Sequence, residues 1–141
     1  MRYPAGIFLA MVGALCWSAD YNVQRAHFNY QMFCQGCHTP DGTGSTNVPR
    51  MKDHVGYFTS FSEGREYLVR VPGSATSSLS DGDLAEVLNW IVSEFSGQSA
   101  NHGFKPYTAA EVGQLRQRPL NEVARYREEL LVQLASANSG D

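Results

Sequence analysis

The run Cys34-Gln35-Gly36-Cys37-His38, a Cys-x-x-Cys-His pattern, constrains this chain more than any other feature. Two thiols three positions apart can each add to one vinyl side arm of a haem, and the adjacent imidazole then lies under the iron as its proximal ligand. Three rival readings use the same cysteines. A structural zinc site needs a second ligand pair, yet no further cysteine is expected in the mature chain and His27, His54 and His102 are scattered. A thioredoxin-like redox pair wants a strand before it and a helix after it, whereas Thr39-Pro40-Asp41-Gly42-Thr43-Gly44 reads as a loop. A plain disulfide in an exported protein leaves His38 without a role.

The N-terminus bears on which cysteines matter. Arg2 precedes an apolar run over residues 6–17 (GIFLAMVGALCW), followed by Ser18 and Ala19. This is the layout of a secretory signal peptide over residues 1–19. The run is short for a membrane span; an uncleaved anchor is the alternative, because Trp17 is bulky at the position three before the cut. Leu15 ahead of Cys16 argues against lipid attachment, so Cys16 is expected to leave with the peptide and Cys34 and Cys37 to remain. Export implies a periplasmic location. The chain has 141 residues, 43% of them hydrophobic, enough for one compact domain with an appended segment. A formal net charge of -3 excludes a nucleic-acid binder working through a basic face.

From residue 22 to about residue 95 the sequence resembles the single-haem class I cytochrome c family. The resemblance implies an all-α, cytochrome c-like fold around one covalently bound haem c, in which Cys34 and Cys37 hold the haem and His38 binds the iron. A first helix fits residues 23–33, with Asn22 as N-cap and Val23, Ala26, Tyr30 and Phe33 on one apolar face. The stretch 39–48, rich in Gly, Thr, Ser, Asp and Asn, suits a loop that bends round a flat cofactor. Pro49 follows, and the resemblance implies that its carbonyl accepts from the ring N–H of His38; a simple turn proline is the other reading. Ser62 is expected to cap a middle helix over 63–70, with Tyr67, Leu68 and Val71 on one side and Pro72-Gly73 ending it. Ser80 and Asp83 form a capping-box pair for the next helix, where Leu84, Val87, Leu88, Ile91 and Phe95 recur at helical spacing. Trp90 matches the aromatic position where the family's last helix crosses its first, which makes it core.

The departure from the family lies at the sixth iron ligand. The family's loop methionine is absent: Pro72-Gly73-Ser74-Ala75-Thr76-Ser77-Ser78-Leu79 holds no Met, His or Lys. Met32 reads as helix packing. Met51 is the expected sixth ligand if the loop over 48–61 crosses the haem, with packing against the cofactor as the bland alternative. His54 or an open iron are the other choices, ahead of His27 and His102.

Beyond Phe95 the polar stretch 96–103 (SGQSANHG) reads as a flexible linker. Thr108 to Glu111 forms a capping box for a short helix to about Gln117, and a second helix over 121–135 carries a stripe of Val123, Tyr126, Leu130, Leu131 and Leu134. The expected division is a haem domain over 20–97 and a helical extension over 98–141. The stripe packs on the haem domain or on another protein. Between residues 27 and 97 four basic side chains stand against eight acidic ones, with no ring of lysines, so a basic redox partner is steered best.

These readings converge on a periplasmic electron carrier, not an enzyme, that passes single electrons between a dehydrogenase and a terminal acceptor, its partners being a dehydrogenase, an oxidase or another cytochrome. No stable membrane span is expected after signal cleavage. Two alternatives use the same residues: a haem protein with an open distal site, serving as a gas sensor or weak peroxidase with His54 as its nominated acid-base group, or a cytochrome subunit docked permanently in an oxidoreductase through the 121–135 stripe.

Overall fold

The computed structural model describes residues 21–138, and the expected signal peptide over 1–19 lies outside the described residues. Its regular elements are helical: α1 (Val23–Phe33), α2 (Gln35–His38), a 3-10 turn at Val55–Ser60, α3 (Ser62–Arg70), α4 (Pro72–Ala75), α5 (Asp81–Phe95), a 3-10 turn at Gly97–Ser99, α6 (Ala109–Leu115) and α7 (Val123–Asn138). Among the described residues the sole β feature is an isolated bridge between Ser45 and Val48. This is the all-α class expected from the sequence.

Two caps set the frame. The Asn22 side chain accepts the Arg25 N–H at 2.9 Å and starts α1. At α5 the Ser80 hydroxyl accepts the Asp83 N–H at 3.1 Å and donates to the Asp83 carboxylate at 2.7 Å. The α5 face of Leu84, Val87, Leu88, Ile91 and Phe95 is buried as its spacing predicts. Where α1 crosses α5, Trp90 stacks on His27 with centroids 5.0 Å apart and meets Tyr30 at 4.9 Å, while Phe95 meets Tyr30 at 5.4 Å. Such aromatic pairs add about 0.5–1.5 kcal/mol each beyond the area they bury. Trp90 is therefore a core residue. The crossing is centred on Ala26 and Tyr30, so Val23 and Phe33 near the two ends of α1 stay 46% and 47% exposed rather than joining the buried face.

The middle helix starts one residue before its expected bound. Phe61 takes the cap position without a side-chain bond, and Ser62 lies within α3, its hydroxyl donating to the Glu63 carboxylate. Tyr67 and Val69 are buried, with Leu68 and Val71 half-buried beside them. Pro72 both follows the end of α3 and opens α4 at its first position, where a missing N–H costs nothing.

Residues 96–103 are not a loose linker. Ser96 and Ser99 are buried; Gly56 donates its N–H to the Ser99 hydroxyl at 2.9 Å, and Asn101 donates to the Thr59 carbonyl at 3.2 Å. The Ser99 and Asn101 side chains are spent on backbone groups of the Val55–Ser60 turn, which is why composition misleads here. Tyr107, Val112 and Leu115 then join the same core as α1 and α5. Asn89 exchanges two hydrogen bonds with the Tyr107 backbone, and Arg65 pairs with Glu111 while lying 4.0 Å from the Tyr107 ring centroid. Arg116 donates to the carbonyls of Ala75, Ser77 and Leu79 and to Asp81.

Thr108 caps α6 through the Glu111 N–H, and α6 ends at Leu115, short of the expected Gln117. The last helix starts and ends later than expected. Leu130 is buried among Phe58, Tyr67 and Leu120, with Val123 and Tyr126 beside it, so α7 packs on the chain's own body. Leu131, expected in the stripe, is 40% exposed. No helix among the described residues is long and apolar enough to cross a membrane.

Candidate functional site

The helical turn α2 brings the motif together. Cys37 and His38 donate their N–H groups to the Cys34 carbonyl at 3.2 and 3.0 Å, so positions 34, 37 and 38 fall on one face of a single turn. Both thiols are free, Cys34 half-buried and Cys37 exposed. Burial pushes the Cys34 thiol up to about 11, with Cys37 adding to the shift. Burial lowers the His38 ring below its ordinary value, which keeps it in the neutral form that ligates metals.

The exit from His38 is tied down by a knot of side chains. Thr39 sits at φ 65°, a region costly for a threonine. Its hydroxyl and that of Thr43 both reach the Asp41 carboxylate, at 2.9 and 2.8 Å, and Tyr30 donates to the Thr39 carbonyl. These bonds, Thr43 first and Thr39 second, pull Asp41 down to about 2. Gly44, at φ 73°, donates to the His38 carbonyl, and a β-carbon there would overlap the Val48 carbonyl oxygen.

Above this loop opens a cavity of about 360 Å³. One wall carries Cys34, Cys37, His38, Pro49 and Met51, backed by Leu88, Ile91 and Val92 of α5; the other carries Phe58, Tyr67, Val71, Val123 and Arg127. The lining is mostly apolar. Its charged side chains are Arg50 and Arg127, and among the described residues no carboxylate lines it. The residues fit a covalently held haem: two unpaired thiols one turn apart, a neutral imidazole, apolar faces for a flat ring, and cations for its carboxylates. The His38 Nδ1 is buried with no hydrogen-bond partner. It thus does not meet the Pro49 carbonyl, although Pro49 lines the same cavity.

The other expected ligands separate. Met51 lines the cavity, and its N–H donates to the Gly42 carbonyl at 2.9 Å, which ties its backbone to the loop that leaves His38. His54 is exposed and faces Tyr57, with centroids 6.3 Å apart, and does not line the cavity. His27 stacks on Trp90 and His102 is exposed. Sequence reasoning missed Arg127 and Val123 as cavity residues. The helical stripe contained Val123 as a packing residue, but nothing local signals that α7 returns to this cavity.

No family model matches the chain. Among curated proteins it is similar to cytochrome c-552 of Thermus thermophilus, 33% identical over 106 residues that take in 62% of this chain and 81% of the relative. It is similar at the same identity and length to a second cytochrome c-552 from a named strain of Thermus thermophilus, covering 72% of that protein.

Proposed function

The chain belongs to the cytochrome c family, and from that premise we propose that it is a class I, single-haem periplasmic carrier of single electrons between a dehydrogenase and a terminal acceptor. The coarser part of this reading, a c-type cytochrome with a covalent haem that works in electron transfer, follows from the family. The finer part rests on one observation: Cys34, Cys37 and His38 come from a single helical turn onto one wall of an apolar cavity. When bound, haem supplies an iron that takes up and releases one electron.

The roles of the chain's residues follow from where they stand. Cys34 and Cys37 form the two thioethers and fix the ring's position. His38 gives its neutral imidazole to the iron, and the Thr39–Asp41–Thr43 knot holds the backbone that aims it. Pro49 orients His38 through its carbonyl when the ring turns its free Nδ1 toward it. Leu88, Ile91 and Val92 exclude water from one face, and a water-poor, rigid surround keeps the rearrangement between oxidation states small. Met51 is the thioether that would be available to the iron, and the tie of its backbone to Gly42 favours packing against the cofactor from the His38 wall. Residues 98–138 form a helical extension of the haem domain that closes the opposite wall. The cytochrome c family supports reading the chain as an electron carrier that does no substrate chemistry.

The test is the holoprotein purified from a host with a haem-attachment system. Haem that survives acid-acetone extraction in the parent, is halved in thioether number in Cys37→Ala, and titrates reversibly with one electron supports the proposal. Extractable haem, or equal attachment in a Cys34→Ala/Cys37→Ala double variant, overturns it.

A further inference from the structure

The rings that pack α1 against α5 also form a continuous line from the loop of the iron ligand to the surface. His38 is bonded to Thr39, and the Thr39 carbonyl accepts from the Tyr30 hydroxyl. The Tyr30 ring is fully buried and its centroid lies 4.9 Å from that of Trp90. Trp90 in turn stacks on His27, with centroids 5.0 Å apart and planes 19° from parallel. His27 is exposed. Each step is thus a covalent bond, a hydrogen bond or a ring contact, and the two rings between the ends are buried.

The line ends at a surface depression of about 370 Å³, where His27 and Trp90 are joined by Val23, Gln24, Pro40 and Glu94. The depression shares no lining residue with the haem cavity, so a visitor meets His27 without entering the space that α7 closes. Glu94 is the one carboxylate among the described residues that line it, which favours a visitor of positive charge. Apolar packing at the crossing does not by itself require a buried phenol aimed at the carbonyl beside the iron ligand, nor an exposed imidazole laid almost flat on the outer ring. An electron tunnels most readily through bonded atoms, then through a hydrogen bond, then across rings in contact. A path made of these alone couples its ends better than the same distance through solvent.

We propose that His27 is an electron port of the holoprotein, coupled to the iron through Trp90, Tyr30, Thr39 and His38. The inference rests on the haem reading above and goes beyond it, because it names the surface residue that the electron crosses. In the step, ferrous iron loses one electron to a metal-centre acceptor held against His27. The iron becomes ferric and the acceptor is reduced by one electron; no bond forms or breaks and no proton moves. Tyr30 and Trp90 supply coupling and are not themselves oxidised.

The experiment places a cationic ruthenium bipyridine complex on one exposed histidine at a time and follows electron transfer from ferrous haem to the photo-oxidised label. His54→Gln/His102→Gln leaves His27 as the exposed histidine to label, and His27→Gln/His54→Gln leaves His102, which is exposed and outside the line of rings. Haem content is first measured as the pyridine haemochrome, so that a protein without covalent haem overturns the haem reading itself, and this inference with it. Tyr30→Phe, which keeps the ring and removes the bond to Thr39, and Trp90→Leu, which removes the ring, are then made in both labelled proteins. The rate from the His27 label is expected to fall severalfold in each variant, and the rate from the His102 label to stay where it was. The second label carries the control: a shift in haem potential or a general loosening of the fold slows both labels alike, and that outcome overturns the proposal. A His27-label rate unchanged in both variants overturns it, as does a fall in only one of them, because the path needs both the hydrogen bond and the ring. So does a His27 label that exchanges no electron with the haem of the parent. If one variant does not fold, the other decides.

Discussion

Replacing Gly56 with alanine tests whether the segment after α5 is packed or loose. Gly56 lies in the Val55–Ser60 turn, is buried, and its N–H donates to the buried Ser99 hydroxyl. A β-carbon there would overlap the Ser99 carbonyl oxygen and come within 2.7 Å of the Ser99 carbonyl carbon. Those atoms are backbone, so the Gly97–Ser99 turn must move as a body. The move forfeits the Gly56–Ser99 hydrogen bond, about 1 kcal/mol, and adds an overpacking cost of about 1–3 kcal/mol. The expected total is about 2–4 kcal/mol, or roughly 10 °C in Tm for a domain of this size. Gly73→Ala is the control: nothing lies within 4 Å of its β-carbon position, and it sits inside α4. That change is expected to stabilise by about 0.5 kcal/mol. Urea unfolding of the holoproteins, followed by far-UV circular dichroism, reads both. A Gly56→Ala protein within about 0.5 kcal/mol of the parent would refute the reasoning, because a loose linker gives way without cost.

Two further outcomes follow from the same packing. Leu130→Ala is expected to lose about 2–4 kcal/mol of stability, while Val132→Ala, at a 62% exposed position on the same helix, stays within about 0.5 kcal/mol; equal effects in urea unfolding would place α7 off the body. Asp41 has its folded pKa depressed to about 2 against about 3.9 unfolded, so its contribution is present above pH 4 and is lost as pH falls toward 2. The Tm gap between parent and Asp41→Asn is therefore expected to be constant from pH 7 to 5 and to narrow between pH 4 and 2; a gap unchanged at pH 2 would count against the knot.

What the sequence made legible was local. The cap at Asn22, the Ser80–Asp83 pair and the α5 periodicity each depend on residues within one or two turns, and α1 and α5 fall where those signals put them. The clustering of Cys34, Cys37 and His38 is likewise a property of one turn. What stayed hidden depends on contacts between distant residues. Ser99 and Asn101 read as linker because their side chains are polar, yet their partners are Gly56 and Thr59 backbone groups that no short window contains. Val23 and Phe33 have the right spacing for a buried face, but only the crossing point of α5 decides how much of that face is covered. Arg127 is separated from Phe58 and Tyr67 by about half the chain, so no local pattern pairs it with them.

The two walls of the cavity belong to different moments in the life of the chain. Cys34, Cys37 and His38 lie in its first third, whereas Val123 and Arg127 lie near its end. Any process that delivers the polypeptide N-terminus first, synthesis or threading through a membrane pore, exposes the thiols while the α7 wall does not yet exist. The cavity is open on that side for as long as residues beyond 122 are unfolded. The direction of the chain thereby makes the cysteines available before the last helix can close the cavity.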